Sequence, residues 1–104
     1  MNTAERAASL ARAASDFPLL GPLTADDLLG VVRLELGHPE ILDGFRPYGA
    51  AFSRVIPRNP ILHVLSGNTP HAALQSLIRG LLLGATNLVK LPSGGLREAE
   101  EFIL

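Results

Sequence analysis

Residues 61–95 contain two short apolar runs separated by one amphipathic stretch, which is the pattern of a βαβ unit. The runs at 61–65 (ILHVL) and 87–91 (NLVKL) have the length and the residue types of strands. Between them, Pro70 can open a helix, because its ring fixes φ and its missing N–H needs no partner in the first turn. A strand, helix and strand of this length form a right-handed crossover, so the two strands are predicted to lie parallel.

The stretch between the two predicted strands has helical periodicity. Its apolar residues are Leu74, Leu77, Ile78 and Leu81, and the residues expected on the opposite face are His71, Gln75, Ser76 and Arg79. Gly84 is predicted to end the helix. His63, in the middle of the first strand, is interpreted as a buried, hydrogen-bonded core histidine.

Two loops leave the carboxyl ends of these strands, at 66–69 (SGNT) and at 92–95 (PSGG). In open α/β sheets, ligands bind at the edge where such loops meet, and the free N–H groups at the start of the helix would face an anion. Gly, Asn, Thr and Pro are also the residues of any strand-to-helix turn. The pattern alone therefore leaves both a nucleotide or phosphate site and an ordinary turn open.

Three segments carry a resemblance to a known family: HVLSGNTP at 63–70, SLIRGLLLGATNLVKLPSG at 76–94 and, more weakly, LDGFRPYG at 42–49. With these segments the chain resembles the acyl-CoA reductases of the bacterial-luminescence type, a branch of the aldehyde dehydrogenase superfamily. The resemblance implies an α/β fold in which N-terminal helices precede the start of an aldehyde-dehydrogenase-like, Rossmann-type parallel sheet, with 61–95 as its βαβ unit.

The resemblance also implies site residues. Asn68 matches the asparagine that holds the substrate carbonyl oxygen as negative charge develops. Lys90 matches the lysine of a Lys-Pro-Ser-Glu motif, which reaches the adenosine ribose of the nicotinamide cofactor. The residues implied to bind the cofactor are Ser66, Gly67, Lys90, Pro92, Ser93 and Gly94.

The chain departs from the superfamily motif at two positions. Leu91 is an extra residue between Lys90 and Pro92, and Gly94 stands where a glutamate would bind the ribose hydroxyls. A glutamate would repel a 2′-phosphate, because like charges repel at short range. Its absence, with Lys90 nearby, favours NADPH over NADH as the cofactor.

The chain has no cysteine, although thioester reduction in this superfamily runs through an acyl-cysteine. We therefore expect the N-terminal part of an NADPH-dependent acyl-CoA reductase that converts fatty acyl-CoA, or another acyl thioester, to an aldehyde. The 104 residues alone are expected to be inactive and to need the rest of the enzyme or homo-oligomerisation. The alternative is a non-catalytic nucleotide-binding or interaction module on the same scaffold; an ordinary aldehyde dehydrogenase is disfavoured by 76–80 (SLIRG) and by Leu91.

Composition excludes several classes of function. Hydrophobic residues make up 47% and charged residues 18%, which is a globular composition. The formal net charge of −1 gives no reason to expect nucleic acid or an anionic membrane as a partner. The apolar stretch 74–85 is too short and too polar for a membrane span. No metal site is expected, and the lack of cysteine fits a cytoplasmic protein.

Two parts are expected along the chain, a helical N-terminal segment at 1–50 and a partial nucleotide-binding α/β segment at 51–104. Helices are predicted at 3–16, from Thr24 to Gly37 and, as a short third helix, at 38–43. Residues 44–49 are predicted as a loop, and 51–56 as a strand that forms a hairpin with the strand after it.

Overall fold

The structure, a computed structural model, describes residues 1–67 and 70–103, without the side chains of Leu19, Glu98 and Ile103. The helices are α1 (Thr3–Ala14), α2 (Ala25–Leu36), α3 (Pro70–Leu82) and α4 (Arg97–Ile103), with one 3₁₀ turn at Pro18–Leu20. The strands are β1 (Arg46–Tyr48), β2 (Ala51–Ser53), β3 (Ile61–Val64) and β4 (Asn87–Lys90).

Strands β3 and β4 form a parallel pair, joined by α3. Ile61 is opposite Asn87, and Val64 is opposite Lys90. The predicted βαβ unit is therefore confirmed, as is the α/β fold in which helices precede the start of a parallel sheet.

Helix α2 begins and ends where its sequence signals lie. The Thr24 hydroxyl accepts the Asp27 N–H at 3.1 Å, and the Asp27 carboxylate accepts the Thr24 N–H at 3.0 Å. The Thr24 N–H, followed by its hydroxyl, lowers the pKa of Asp27 below its usual 3.8. At the other end, Gly37 takes a left-handed conformation with φ of 94°.

Three predictions about residues 38–56 are wrong. No helix forms at 38–43, where the Ile41 and Asp43 N–H groups each close a single turn. The strand at 51–56 is shorter than predicted, and it pairs antiparallel with β1, a segment that was expected to be a loop. Gly49, with φ of 63°, permits the tight turn between them, and the Val55 N–H donates to the Ile41 carbonyl instead of to β3.

Helix α3 lies between two groups of buried apolar side chains. One group joins it to the N-terminal helices and contains Ala7, Leu10, Ala14, Leu20, Leu28, Val32, Leu42, Leu74, Ile78 and Leu82. The other joins it to the sheet edge and to α4, and contains Leu65, Ala73, Leu77, Leu96 and Ala99. Leu81, expected on the apolar face, is 37% exposed. The predicted division at residue 50 stays a prediction, although residues from both sides of it share the first group.

Arg6 ties the first helix to the end of α3. Its Nε donates to the Leu82 carbonyl at 2.9 Å, and its Nη2 donates to the Thr3 hydroxyl at 3.1 Å. The Thr3 N–H and hydroxyl in turn donate to the Asp43 carboxylate. Gly84 fits this arrangement, because a Cβ there would lie 2.9 Å from the Arg6 Cζ, and its φ is 77°. Within the described ranges, no helix is long and apolar enough to cross a membrane.

Candidate functional site

The two predicted loops meet at the carboxyl edge of the parallel pair. The Leu65 N–H donates to the Lys90 carbonyl at 3.0 Å, so the strands stay paired up to the first loop. A Cβ placed on Gly67 would lie 3.5 Å from Cβ and Cγ of Pro92. The structure therefore brings the two loops into contact, as parallel pairing requires.

Side chains alternate along this part of the sheet. His63 and Leu65 are buried beneath α3, whereas Val64 and Lys90, which are opposite each other, are exposed on the other face. The Lys90 ammonium donates to the Leu91 carbonyl at 3.1 Å. An exposed ammonium at the edge of a sheet can bind a phosphate or a ribose hydroxyl.

Leu91, the extra residue in the motif, has a structural role. Its side chain is partly buried and packs against the group formed by Leu65, Leu77 and their neighbours. It fastens the second loop to α3 and α4, while Lys90 on the other side of the strand stays in solvent. Sequence alone showed the insertion but not its packing.

The second loop is a tight turn with open space beside Gly94. The Gly95 N–H donates to the Pro92 carbonyl at 2.8 Å, and Gly95 has φ of 78°. A Cβ on Gly94 would meet no atom within 4 Å, and Ser93 is exposed. Helix α4 adds a carboxylate at this border, since Glu100 Oε2 would lie 3.4 Å from a Cβ on Gly95.

The structure describes most of the predicted site residues. Ser66, Gly67, Lys90, Ser93 and Gly94 are exposed at this one edge, and Pro92 is partly buried against Gly67. Asn68, predicted to hold the oxyanion, lies outside the described residues. The roles of all seven residues stay predictions.

Below the edge, His63 joins α3 to both strands. It is 6% exposed; its Nδ1 lies 2.8 Å from the Ser76 hydroxyl, and its Nε2 lies 2.8 Å from Asn87 Oδ1. The Asn87 amide nitrogen donates to the Ala85 carbonyl, so Oδ1 faces the ring as an acceptor and Nε2 carries the proton. The prediction of a hydrogen-bonded core histidine is confirmed.

Gly80 makes this histidine arrangement possible. A Cβ there would clash with Asn87 Oδ1 and would lie 2.7 Å from His63 Nε2. A glycine inside a helical pattern indicates that another group packs closely against the helix backbone, but the sequence does not identify that group.

In the described part of the chain, no three His, Asp or Glu side chains gather as a metal site would require. What the geometry defines is an α/β protein with the start of a Rossmann-like parallel sheet. Two touching loops and one exposed lysine lie at its carboxyl edge.

Comparison with known proteins identifies the family. The family model described as "Acyl-CoA reductase (LuxC)" matches residues 5–102. The chain therefore belongs to the LuxC acyl-CoA reductase family.

Characterised relatives share part of this chain. A long-chain acyl-protein thioester reductase of Vibrio harveyi is 34% identical over 55 residues, which are 53% of this chain and 12% of the relative. Proteins of the same name from Photobacterium phosphoreum and Photorhabdus laumondii are 32% and 30% identical over 66 residues, which are 64% of this chain and 14% of each relative. The matched segment thus spans less than one sixth of these relatives. No solved structure matches the chain.

Proposed function

We propose that these residues form the N-terminal part of an NADPH-dependent reductase that converts a long-chain acyl thioester to an aldehyde. The substrate class is supported by the names of the relatives, which are long-chain acyl-protein thioester reductases. The observation that carries the proposal is the carboxyl edge of β3 and β4. There, Gly67 and Pro92 touch and Lys90 extends into solvent, at the positions that the superfamily motifs give to the cofactor.

The residues at this edge fit a phosphorylated dinucleotide. Gly67 and Gly94 leave the backbone accessible, and Lys90 supplies an exposed cation. The sequence has no Asp or Glu from 44 to 97, so neither loop presents a carboxylate of its own. Glu100 of α4 borders the turn at Gly95, and no atom lies within 4 Å of a Cβ position on Gly94. With no glutamate at position 94, a 2′-phosphate meets less repulsion, which supports NADPH over NADH.

These 104 residues would supply the contacts to the cofactor and to the carbonyl oxygen, whereas the nucleophile would come from another part of a longer polypeptide. The cofactor supplies hydride when it is bound, and Lys90 holds its adenosine ribose or 2′-phosphate. The Asn68 amide donates to the thioester carbonyl oxygen as negative charge develops there. The nucleophile is proposed to be a cysteine, and since these 104 residues contain none, the acyl-cysteine needs a cysteine from outside them.

One property of the sequence permits a direct test. Lys90 is the only lysine, so within these residues an amine-directed acetylating reagent has two targets, Lys90 and the α-amino group of Met1. We expect NADPH to slow the modification of Lys90, measured by mass spectrometry, and to leave Met1 unaffected. NADH at the same concentration should protect less. The measurement uses the complete enzyme, because these 104 residues are expected to need the rest of it, and equal modification of Lys90 with and without NADPH there would refute the cofactor site.

A further inference from the structure

The alternation of side chains along β4 continues into the residue that follows the strand. Val89 and Leu91 are both partly buried and pack against the same buried group on the α3 side of the sheet, whereas Lys90 between them is exposed. The Leu65 N–H donates to the Lys90 carbonyl, so the two strands are still hydrogen-bonded at this point. The two apolar neighbours therefore fix the side of the sheet on which the lysine lies.

Leu91 differs from Val89 in what holds its backbone. Val89 is paired with His63 inside the parallel strands. Leu91 follows the last residue of β4 and precedes the turn that the Gly95 N–H closes on the Pro92 carbonyl. The packing of the Leu91 side chain therefore holds the backbone at the point where the chain leaves the sheet.

The carbonyl of Leu91 holds the head group of the lysine. The Lys90 ammonium donates to this oxygen at 3.1 Å, so the lysine side chain curves back toward the start of the second loop. An ammonium has three N–H donors, and this bond leaves two for the oxygen atoms of a ligand. Residues 92–95 contain no Asp or Glu, so the loop itself has no carboxylate that would compete for them.

We propose that Leu91 is a positioning residue that sets the preference for NADPH over NADH. This inference rests on the proposed function, in which Lys90 binds the adenosine ribose or its 2′-phosphate. The packed side chain of Leu91 and its carbonyl together hold the ammonium at the start of the second loop. A bond from the ammonium to a 2′-phosphate joins two opposite charges and is stronger than one to a neutral ribose hydroxyl. Displacement of the ammonium therefore weakens the binding of NADPH more than that of NADH.

The test measures dissociation constants in the complete enzyme, by the fluorescence of the reduced nicotinamide during titration with NADPH and with NADH. Leu91→Ala removes the packed side chain, so the constant for NADPH should rise about three- to fivefold and that for NADH much less. Leu91→Val removes a single methylene group and should change the ratio of the two constants in the same direction by less. Leu91→Met keeps an apolar side chain of similar volume and should retain the ratio.

Val89→Ala is the matched control. It removes apolar volume from the same buried group, but strand pairing holds this residue, and the Lys90 ammonium donates to the Leu91 carbonyl. The control should leave the ratio of the two constants unchanged. Both residues are only partly buried, so the alanine variants should stay folded, which circular dichroism checks. Equal weakening of NADPH and NADH binding in Leu91→Ala, or the same change of ratio in Val89→Ala, would overturn the proposal.

Failure of this proposal can be told from failure of the cofactor site. Protection of Lys90 from acetylation by NADPH in the wild type tests the site itself. Protection in the wild type with an unchanged ratio of constants in Leu91→Ala would refute only the role of Leu91. A wild type with neither protection nor a preference for NADPH would refute both.

Discussion

Oδ1 of Asn87, the first residue of β4, lies 2.8 Å from Nε2 of His63, the third residue of β3. Through this ring the crossover helix is hydrogen-bonded to both strands, because Ser76 of α3 lies 2.8 Å from its other nitrogen. Gly80 leaves the space that the pair occupies. The polar centre of the βαβ unit thus depends on the absence of one methyl group.

Gly80→Ala should therefore destabilise the fold by about 1–3 kcal/mol, because the new methyl group would displace Asn87 or His63. The control is Gly30→Ala in α2, where a Cβ meets no atom within 4 Å. That substitution should stabilise by about 0.5–1 kcal/mol through helix propensity. Urea unfolding of the two variants measures both changes. Equal effects would mean that the position 80 contact is not tight.

Arg6→Ala should lower the free energy of unfolding by about 1–3 kcal/mol. The substitution removes a charged donor from the Leu82 carbonyl at the end of α3 and from the Thr3 hydroxyl. Arg12→Ala on the same helix is the control, since Arg12 is exposed and its Nη2 donates to the hydroxyl of the nearby Ser9. Its effect should stay within about 0.5 kcal/mol. Thermal denaturation of both variants would show whether the Arg6 contacts matter.

Gly94→Glu should change the cofactor preference toward NADH by about tenfold, the ratio that ~1.4 kcal/mol of like-charge repulsion gives. The side chain has room, because no atom lies within 4 Å of the Cβ position. Gly94→Gln has the same size without the charge and should leave the preference for NADPH in place. Titration of each variant with both cofactors, followed by lysine protection, provides the comparison. An equal change in the glutamine variant would make size, and not charge, the cause.

The Asp27 carboxylate should make stability depend on pH. Its pKa is lower in the folded state than the usual 3.8, so its capping contribution is fully present above that value and is lost as the pH falls through the folded-state pKa. The stability difference between wild type and Asp27→Asn should therefore shrink between pH 5 and pH 2. Asp26→Asn, outside the capping box, is the control and should show a smaller change in urea titrations at the two pH values.

Local signals predicted much of the fold. Pro70, the helical spacing of the apolar residues and the glycine-rich loops were sufficient for the βαβ unit, because each acts within a few residues of its own position. The Thr24 and Gly37 helix ends are local in the same sense, and the structure has both.

Features that depend on distant contacts were not predicted. The prediction that β2 pairs with the strand after it was wrong. Strand pairing here depends on the turn at Gly49 and on the contact of Val55 with Ile41, and not on strand composition. The contact of Arg6 with Leu82 spans 76 residues and has no sequence signature. At the site, the meeting of Gly67 with Pro92 followed from parallel strands, whereas the packing of Leu91 required the complete core.

The position of α3 between two groups of buried side chains also determines how the protein should unfold. Leu74 and Ile78 face the N-terminal helices, whereas Ala73 and Leu77 face the sheet edge and α4. If either group of partners separated from α3, the buried side chains on that face of the helix would be exposed to water. Calorimetry should therefore show one cooperative transition and not a separate melting of α1 and α2. Through α3, the packing of the N-terminal helices is therefore coupled to the stability of the sheet edge where α3 begins.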